Sequence, residues 1–169
     1  MATGLILKDA YVRLSTTTCF DAALGSTNSF DISGFTQSVE IVTEAETRDN
    51  TTFGAEFRSE VRALRRATIT LRSLQQFSIV SEPVPMQNST AAGTRSIDSL
   101  LWDVSQTEAP VIIAVRPDNA IRSSCNPDYW MPASLNTHNP LDGAWADLLI
   151  TPLRFTSQGA GLTRYATSS

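Results

Sequence analysis

Three carboxylates, Glu40, Glu44 and Glu46, recur at even spacing between Ser38 and Thr47. On an extended strand, even spacing places them on one face with Val42, while Val39, Ile41, Thr43 and Ala45 take the other. Paired carboxylates are the groups that cleave glycosides, yet on a single strand face the favoured reading is a solvated or wall-lining polar surface. His138 is the sole histidine and sits in the turn-like run Asn136-Thr137-His138-Asn139-Pro140, with no second ligand at metal spacing. Cys19 and Cys125 lie in no CxxC pattern, so two reduced thiols are favoured over a disulfide. There is no GxSxG, GxxxxGK[ST] or GxGxxG, and Gly159-Ala160-Gly161 lacks the strand-to-helix setting that gives such motifs meaning. The residue types therefore predict no enzyme, with no catalytic, cofactor-binding or metal-binding residue and no cofactor.

The elements around the glutamates dominate the rest of the pattern. Ser38 to Thr47 reads as a long half-buried strand, and Asp49-Asn50 supplies a turn. Thr51 or Thr52 can cap a helix whose apolar stripe, Phe53, Phe57, Val61 and Leu64, recurs at i, i+4, i+8 and i+11. Glu56 near its start and Arg65-Arg66 at its end oppose the helix dipole. Alternation then resumes through Ala67, Ile69 and Leu71 against Thr68, Thr70 and Arg72, so a return strand comes next.

Outside this unit, Lys8 to Leu14 alternates as a first strand. Ser15 to Gly34 is rich in Ser, Thr, Gly and Asn and reads as a long exposed loop, which in a compact domain usually binds something. Its punctuation by Phe20, Leu24 and Phe30 suits docking on a neighbour. Ser81 to Gly93 is a second loop. Ser96 as cap, Asp98 in the first turn and Ile97, Leu100, Leu101 and Val104 at helical spacing predict a short second helix. Val111 to Val115 is a short buried strand. Asn126 to Pro140 carries three prolines, so any strand there must be an edge or a bulged one. Trp145 to Phe155 alternates as a last long strand, Gly159 to Gly161 makes a hinge, and Leu162 to Thr167 adds a terminal strand.

A chain of 169 residues fits one domain spanning 1–169, with long loops at about 15–34 and 81–95 and a C-terminal arm at about 157–169. Hydrophobic content of 41% against 18% charge is globular rather than disordered, and a net charge of −4 disfavours a binder that grips nucleic acid by bulk attraction. The apolar run Leu5-Ile6-Leu7 is too short for a signal peptide or a membrane span, so the expectation is a protein made and kept in a cytoplasm, without membrane insertion. Of 13 basic residues only Lys8 is a lysine, which hints at interfaces because arginine is favoured there, although a GC-rich genome would give the same bias.

The order Asp31-Ile32-Ser33-Gly34, a long strand with alternating glutamates, Asp49-Asn50-Thr51-Thr52-Phe53-Gly54, a short helix, then Leu64-Arg65-Arg66-Ala67-Thr68-Ile69-Thr70-Leu71 resembles the major tail tube protein of long-tailed, siphovirus-like bacteriophages. The end agrees, with Asp147-Leu148-Leu149 leading to Phe155, Gly159, Leu162 and Arg164. The likeness runs from about Asp31 to Thr167, and departs from the family in the Ser15 to Asn28 loop and the Ser81 to Gly93 segment.

The resemblance implies a mainly β fold, a β-sandwich or partial barrel of long antiparallel strands with one flanking α-helix and the short second one. It implies homohexameric rings stacked into a hollow tail tube, the conduit for ejection of genomic DNA, which passes without specific binding. It also implies a structural virion protein located in the tail and assembled in the host bacterial cytoplasm, with tape measure, tail-terminator and tail-tip proteins as partners. On this reading Glu40, Glu44 and Glu46 are candidate lumen-facing residues, Phe53, Phe57, Val61 and Leu64 a helix stripe turned to the core, and Phe20, Leu24 and Phe30 an intersubunit loop. The direction of Arg66 and Arg72 stays open. Two readings from other classes stand beside it: a monomeric carbohydrate- or receptor-binding β-sandwich displaying Tyr129, Trp130 and Trp145, and a hydrolase using Glu or Asp.

Overall fold

Eight antiparallel strands and one helix make up the described part of a computed structural model, which covers residues 10–16, 29–49, 60–75, 96–106, 109–120, 122–140, 149–159 and 161–166. The strands are β1 (Tyr11–Ser15), β2 (Ser29–Asp31), β3 (Thr36–Asp49), β4 (Glu60–Leu74), β5 (Val111–Arg116), β6 (Asp128–His138), β7 (Ile150–Ser157) and β8 (Thr163–Tyr165). The helix α1 (Ile97–Gln106) lies between β4 and β5 in sequence. In the sheet the order is β2-β1-β5-β6-β7-β4-β3, with β8 added beside the start of β6.

Alternation decides which face each strand buries. Val12 and Leu14 of β1, Ile113 of β5, Met131 of β6, Leu153 and Phe155 of β7, and Ile69 and Leu71 of β4 are all removed from water in one cluster. The helix closes it. Ile97, Leu100, Leu101 and Val104 fall at i, i+3, i+4 and i+7, so they form one stripe, and that stripe is buried in the same cluster. Ser96 Oγ accepts the backbone N–H of Ser99 at 3.2 Å, the N-cap bond that its position predicted. Asp98 receives Gln75 Nε2 at 2.6 Å, and Gln75 Oε1 in turn accepts Thr151 Oγ1 at 3.1 Å, which ties the helix start to the ends of β4 and β7.

The sheet is strongly curled. Strands β3 and β5 are separated by β4, β7 and β6, which in a flat sheet would hold them about 19 Å apart at about 4.8 Å per strand. Yet Val39 and Ile41 of β3 line one groove with Val115 of β5 and Tyr129 of β6. The concave side holds the core, and the partial-barrel expectation describes this shape.

Several expectations are corrected. The helix read from Thr52 to Arg66 gives way to strand from Glu60 onward; Val61 and Leu64 belong to β4, and Phe53 and Phe57 lie outside the described residues. The run Glu60 to Arg66 has good helix formers, but β3 pairs with it from Asp49↔Glu60 back to Ala45↔Arg65, and non-local pairing overrides propensity. The loop read from Ser15 to Gly34 contains β2 and a 3-10 turn at Ser33–Phe35. Asp31 Oδ1 accepts the N–H of Ser33 at 2.9 Å and its hydroxyl at 2.5 Å, an Asx-type turn that reverses the chain into β3.

Strand β6 is bulged between Leu135 and Thr137 as its prolines suggested, but it is an interior strand, paired with β5 on one side and with β7 and β8 on the other. Pro132 is tolerated because it sits where the partner changes. Its carbonyl accepts Gln158 N–H at 2.8 Å, so its missing N–H faces the gap between the β8 ladder, which ends at Trp130, and the β7 ladder, which begins at Ala133. His138 ends this strand and is partly buried, not a free turn residue. The last long strand begins at Ile150, and 141–148 lie outside the described residues.

Candidate assembly and channel surface

Strand β3 runs for 14 residues and, among the described residues, forms one edge of the sheet. At about 3.4 Å per residue it reaches about 48 Å, far beyond the usual five or six residues. The third strand supports only part of it. The β4–β7 ladder spans Thr68 to Leu74 and Ala67 N–H still reaches Ser157 Oγ of β7 at 3.0 Å, so Glu44 to Asp49 and Glu60 to Arg66 continue past the body as a two-stranded ribbon among the described residues. A lone two-stranded ribbon is marginal in water, and a long unpaired edge is a template for another chain.

The register fixes which charges share the convex face. Glu44 stands directly opposite Arg66, and Glu40 opposite Thr70. Arg72, opposite Ser38, is the diagonal neighbour of Glu40 on the same face. Across β4 on β7, Arg154 is opposite Thr70, so it joins this face too. The direction of Arg66 and Arg72, open from the sequence, is thereby settled: both share a face with Glu40 and Glu44. Glu46 sits in the register shift between Ala45 and Thr47 and borders one hollow with Glu44, Arg65 and Arg66. The three glutamates are exposed, as are Arg66, Arg72 and Arg154. The carboxylates thus form a mixed ladder with guanidinium groups. No sequence pattern singled out Arg154, because only the pairing of β4 with β7 brings it there.

A second charged cluster lies at the other end of this face. Arg116 Nε donates to Asp128 Oδ1 at 2.6 Å and Arg122 Nη1 to Asp128 Oδ2 at 3.4 Å. Arg13 donates to Tyr11 Oη at 3.1 and 2.7 Å, and both Arg13 and Arg116 lie 5.3 Å from the Tyr11 ring centre. Burial pushes the Tyr11 phenol above its ordinary value, against the pull of Arg13. Arg122 stacks 4.2 Å from the Tyr165 ring, and Arg164 Nη2 donates to Ser124 O at 2.9 Å, so this cluster fastens β8. No sequence motif marked it, because its members come from four strands, β1, β5, β6 and β8, and the loop between β5 and β6.

The remaining predicted residues scatter over the molecule. Phe30 is 5% exposed within the subunit's own core, hence committed internally; Phe20 and Leu24 lie outside the described residues. Tyr129 and Trp130 are successive strand residues on opposite faces, the first lining the inner groove and the second packed on Ile112 and Ala114. They do not make one aromatic platform for a sugar, and Trp145 lies outside the described residues. Cys125 is a free, exposed thiol. Among the described residues no three His, Cys, Asp or Glu side chains gather as a metal site, and no described helix is long and apolar enough to cross a membrane.

This antiparallel sheet with a single described helix is a fold shared with chains of gene transfer agent particles and of the anti-feeding prophage baseplate. A chain of the tail of an empty gene transfer agent particle, determined with C6 symmetry, aligns at a TM-score of 0.58 and 19% identity over 94% of this chain and 97% of its own. A chain of the native gene transfer agent virion aligns at 0.57 and 17% with the same coverage, and one from the six-fold symmetrised baseplate of the anti-feeding prophage at 0.51 and 14% over 98% of both. No family model and no curated protein matches the sequence.

Proposed function

We propose that this chain is a structural tail protein, the subunit of six-membered rings that stack into a hollow tube for passage of genomic DNA. The observation that carries the reading is the end-to-end agreement of fold with a chain of a C6-symmetric tail, over 94% of one chain and 97% of the other. The long edge strand β3 and its ribbon support it, because a neighbour's strand would satisfy the unpaired edge and give the ribbon a third member. In such a tube the chain acts without catalysis, in the virion tail, alongside tape measure, terminator and tip proteins.

Within that reading the convex face of β3, β4 and β7, with Glu40, Glu44 and Glu46, lines the lumen. Duplex DNA carries one charge per roughly 1.7 Å of axis, and a conduit must not hold it. Screening limits any field from the wall to about 8 Å at physiological salt, so the wall acts only on DNA that comes close. Concentrated protein imaged by negative stain should form rings of six and tubes. A chain that elutes near 18.4 kDa at every concentration and never polymerises would reject the proposal.

A further inference from the structure

The convex face of β3, β4 and β7 holds three guanidinium groups against the two carboxylates whose register is fixed. Arg66 and Arg72 are six residues apart on β4, about 20 Å at about 3.4 Å per residue, and Arg154 lies one strand across between them. That length covers about six base-pair rises of duplex DNA. The carboxylates are not spread evenly over it. In the register Glu44 stands opposite Arg66 and Glu40 lies diagonal to Arg72, neighbours across the ladder without a direct ion pair, whereas the register neighbours of Arg154 are Thr70 and Thr137, neither of which ionises. Glu46 adds its charge at the hollow with Arg65 and Arg66.

We infer that this face is a phosphate-binding stripe of Arg66, Arg72 and Arg154, kept in a weak state by the glutamates beside it, and that its partner is the backbone of double-stranded DNA. The glutamates act by offsetting the field of the arginines beside them and not by making the wall anionic. A wall of carboxylates alone and a masked arginine stripe respond differently when the carboxylates are neutralised. The first becomes inert. The second becomes adhesive, because each exposed arginine releases counterions when it meets a phosphate. The placement of this stripe in a lumen rests on the tube reading; its chemistry does not, since the face exists on each subunit.

The test uses the full chain at a concentration below any polymerisation and a fluorescent 20-base-pair duplex of arbitrary sequence, read by anisotropy across a salt series. The triple variant E40Q/E44Q/E46Q should bind roughly tenfold or more tightly than the parent at low salt, with log K falling against log salt at a slope near −2.7 for about three phosphate contacts. Adding R66Q, R72Q and R154Q should abolish that gain. Asp103→Asn with Asp118→Asn, which raises net charge away from this face, should not reproduce it. No gain in the triple variant, a gain that survives loss of the three arginines, or an equal gain in the charge control would each overturn the inference. Negative-stain images of the parent protein decide the tube reading separately, because absence of tubes would leave the subunit's DNA measurement intact.

Discussion

Arg116 Nε meets Asp128 Oδ1 at 2.6 Å with the two side chains only 15% and 4% exposed, so this ion pair is largely withdrawn from water. Removing one partner of such a pair leaves a desolvated charge. Asp128→Ala should therefore destabilise the subunit by about 3–5 kcal/mol, as for other buried pairs broken on one side. It should also loosen β8, because Arg122 bridges Asp128 to the Tyr165 ring. Urea denaturation gives the first quantity, and hydrogen exchange at Thr163 to Tyr165 gives the second. A loss under about 1 kcal/mol with unchanged exchange would show that the cluster is incidental.

Phe30 supplies a test of what the second strand does. At 5% exposure inside the common core it should behave as a core residue, so Phe30→Ala should cost about 3–5 kcal/mol in unfolding of the isolated subunit. An interface residue would instead leave the subunit's stability nearly unchanged and lower its tendency to polymerise.

How much of the fold was legible in the sequence depends on how far apart the interacting residues are. Ser96 capping Ser99, the α1 stripe, the short Val111 to Val115 strand and the strand from Ser38 to Thr47 are local patterns, and all appear where expected, but the half-buried alternation of that last strand holds only to Val42, because Thr43 to Thr47 are exposed on both faces. The strand identity of Glu60 to Arg66 depends on β3, that of Ser29 to Asp31 on β1, and the interior place of β6 on β5 and β7. None of these is written in its own segment. The candidate surface was half legible for the same reason: alternation grouped Glu40 with Glu44, but only the ladders reveal that Arg66, Arg72 and Arg154 share their face.

His138 makes stability depend on pH. Burial lowers its pKa below the ordinary histidine value, with the Asp98 carboxylate opposing, so the folded chain binds this proton more weakly than the unfolded chain. Between the lowered pKa and about 6.5 the unfolded state carries more protons, and stability rises with pH through that window before levelling above it. His138→Gln should flatten the slope between mildly acidic and neutral pH. Melting temperatures from pH 5 to 8 check it, and an equal slope in the variant would assign the dependence to other groups.

The Glu44 and Arg66 pair can be measured apart from DNA. Both are exposed, so a double-mutant cycle should give a coupling of only about 0.2–1 kcal/mol, falling with added salt. Glu44→Arg combined with Arg66→Glu should restore most of what either reversal alone loses. A coupling near zero at low salt would mean that the two side chains ignore each other despite their register.

The segment between β1 and β2 offers the sharpest separation of fold from assembly. Ser15 and Ser29 are directly paired in the ladder, so residues 16–28 leave and return to adjacent points of the sheet. A two-residue Asn-Gly turn closes an antiparallel pair of this kind with the correct twist. Replacing 16–28 by Asn-Gly should therefore keep β1, β2 and the burial of Phe30, with a melting temperature within a few degrees of the parent. It removes Phe20 and Leu24, the apolar residues proposed to dock on a neighbouring subunit. Circular dichroism should report an intact fold while electron microscopy shows loss of tubes, and tubes that form as before would exclude the segment from assembly.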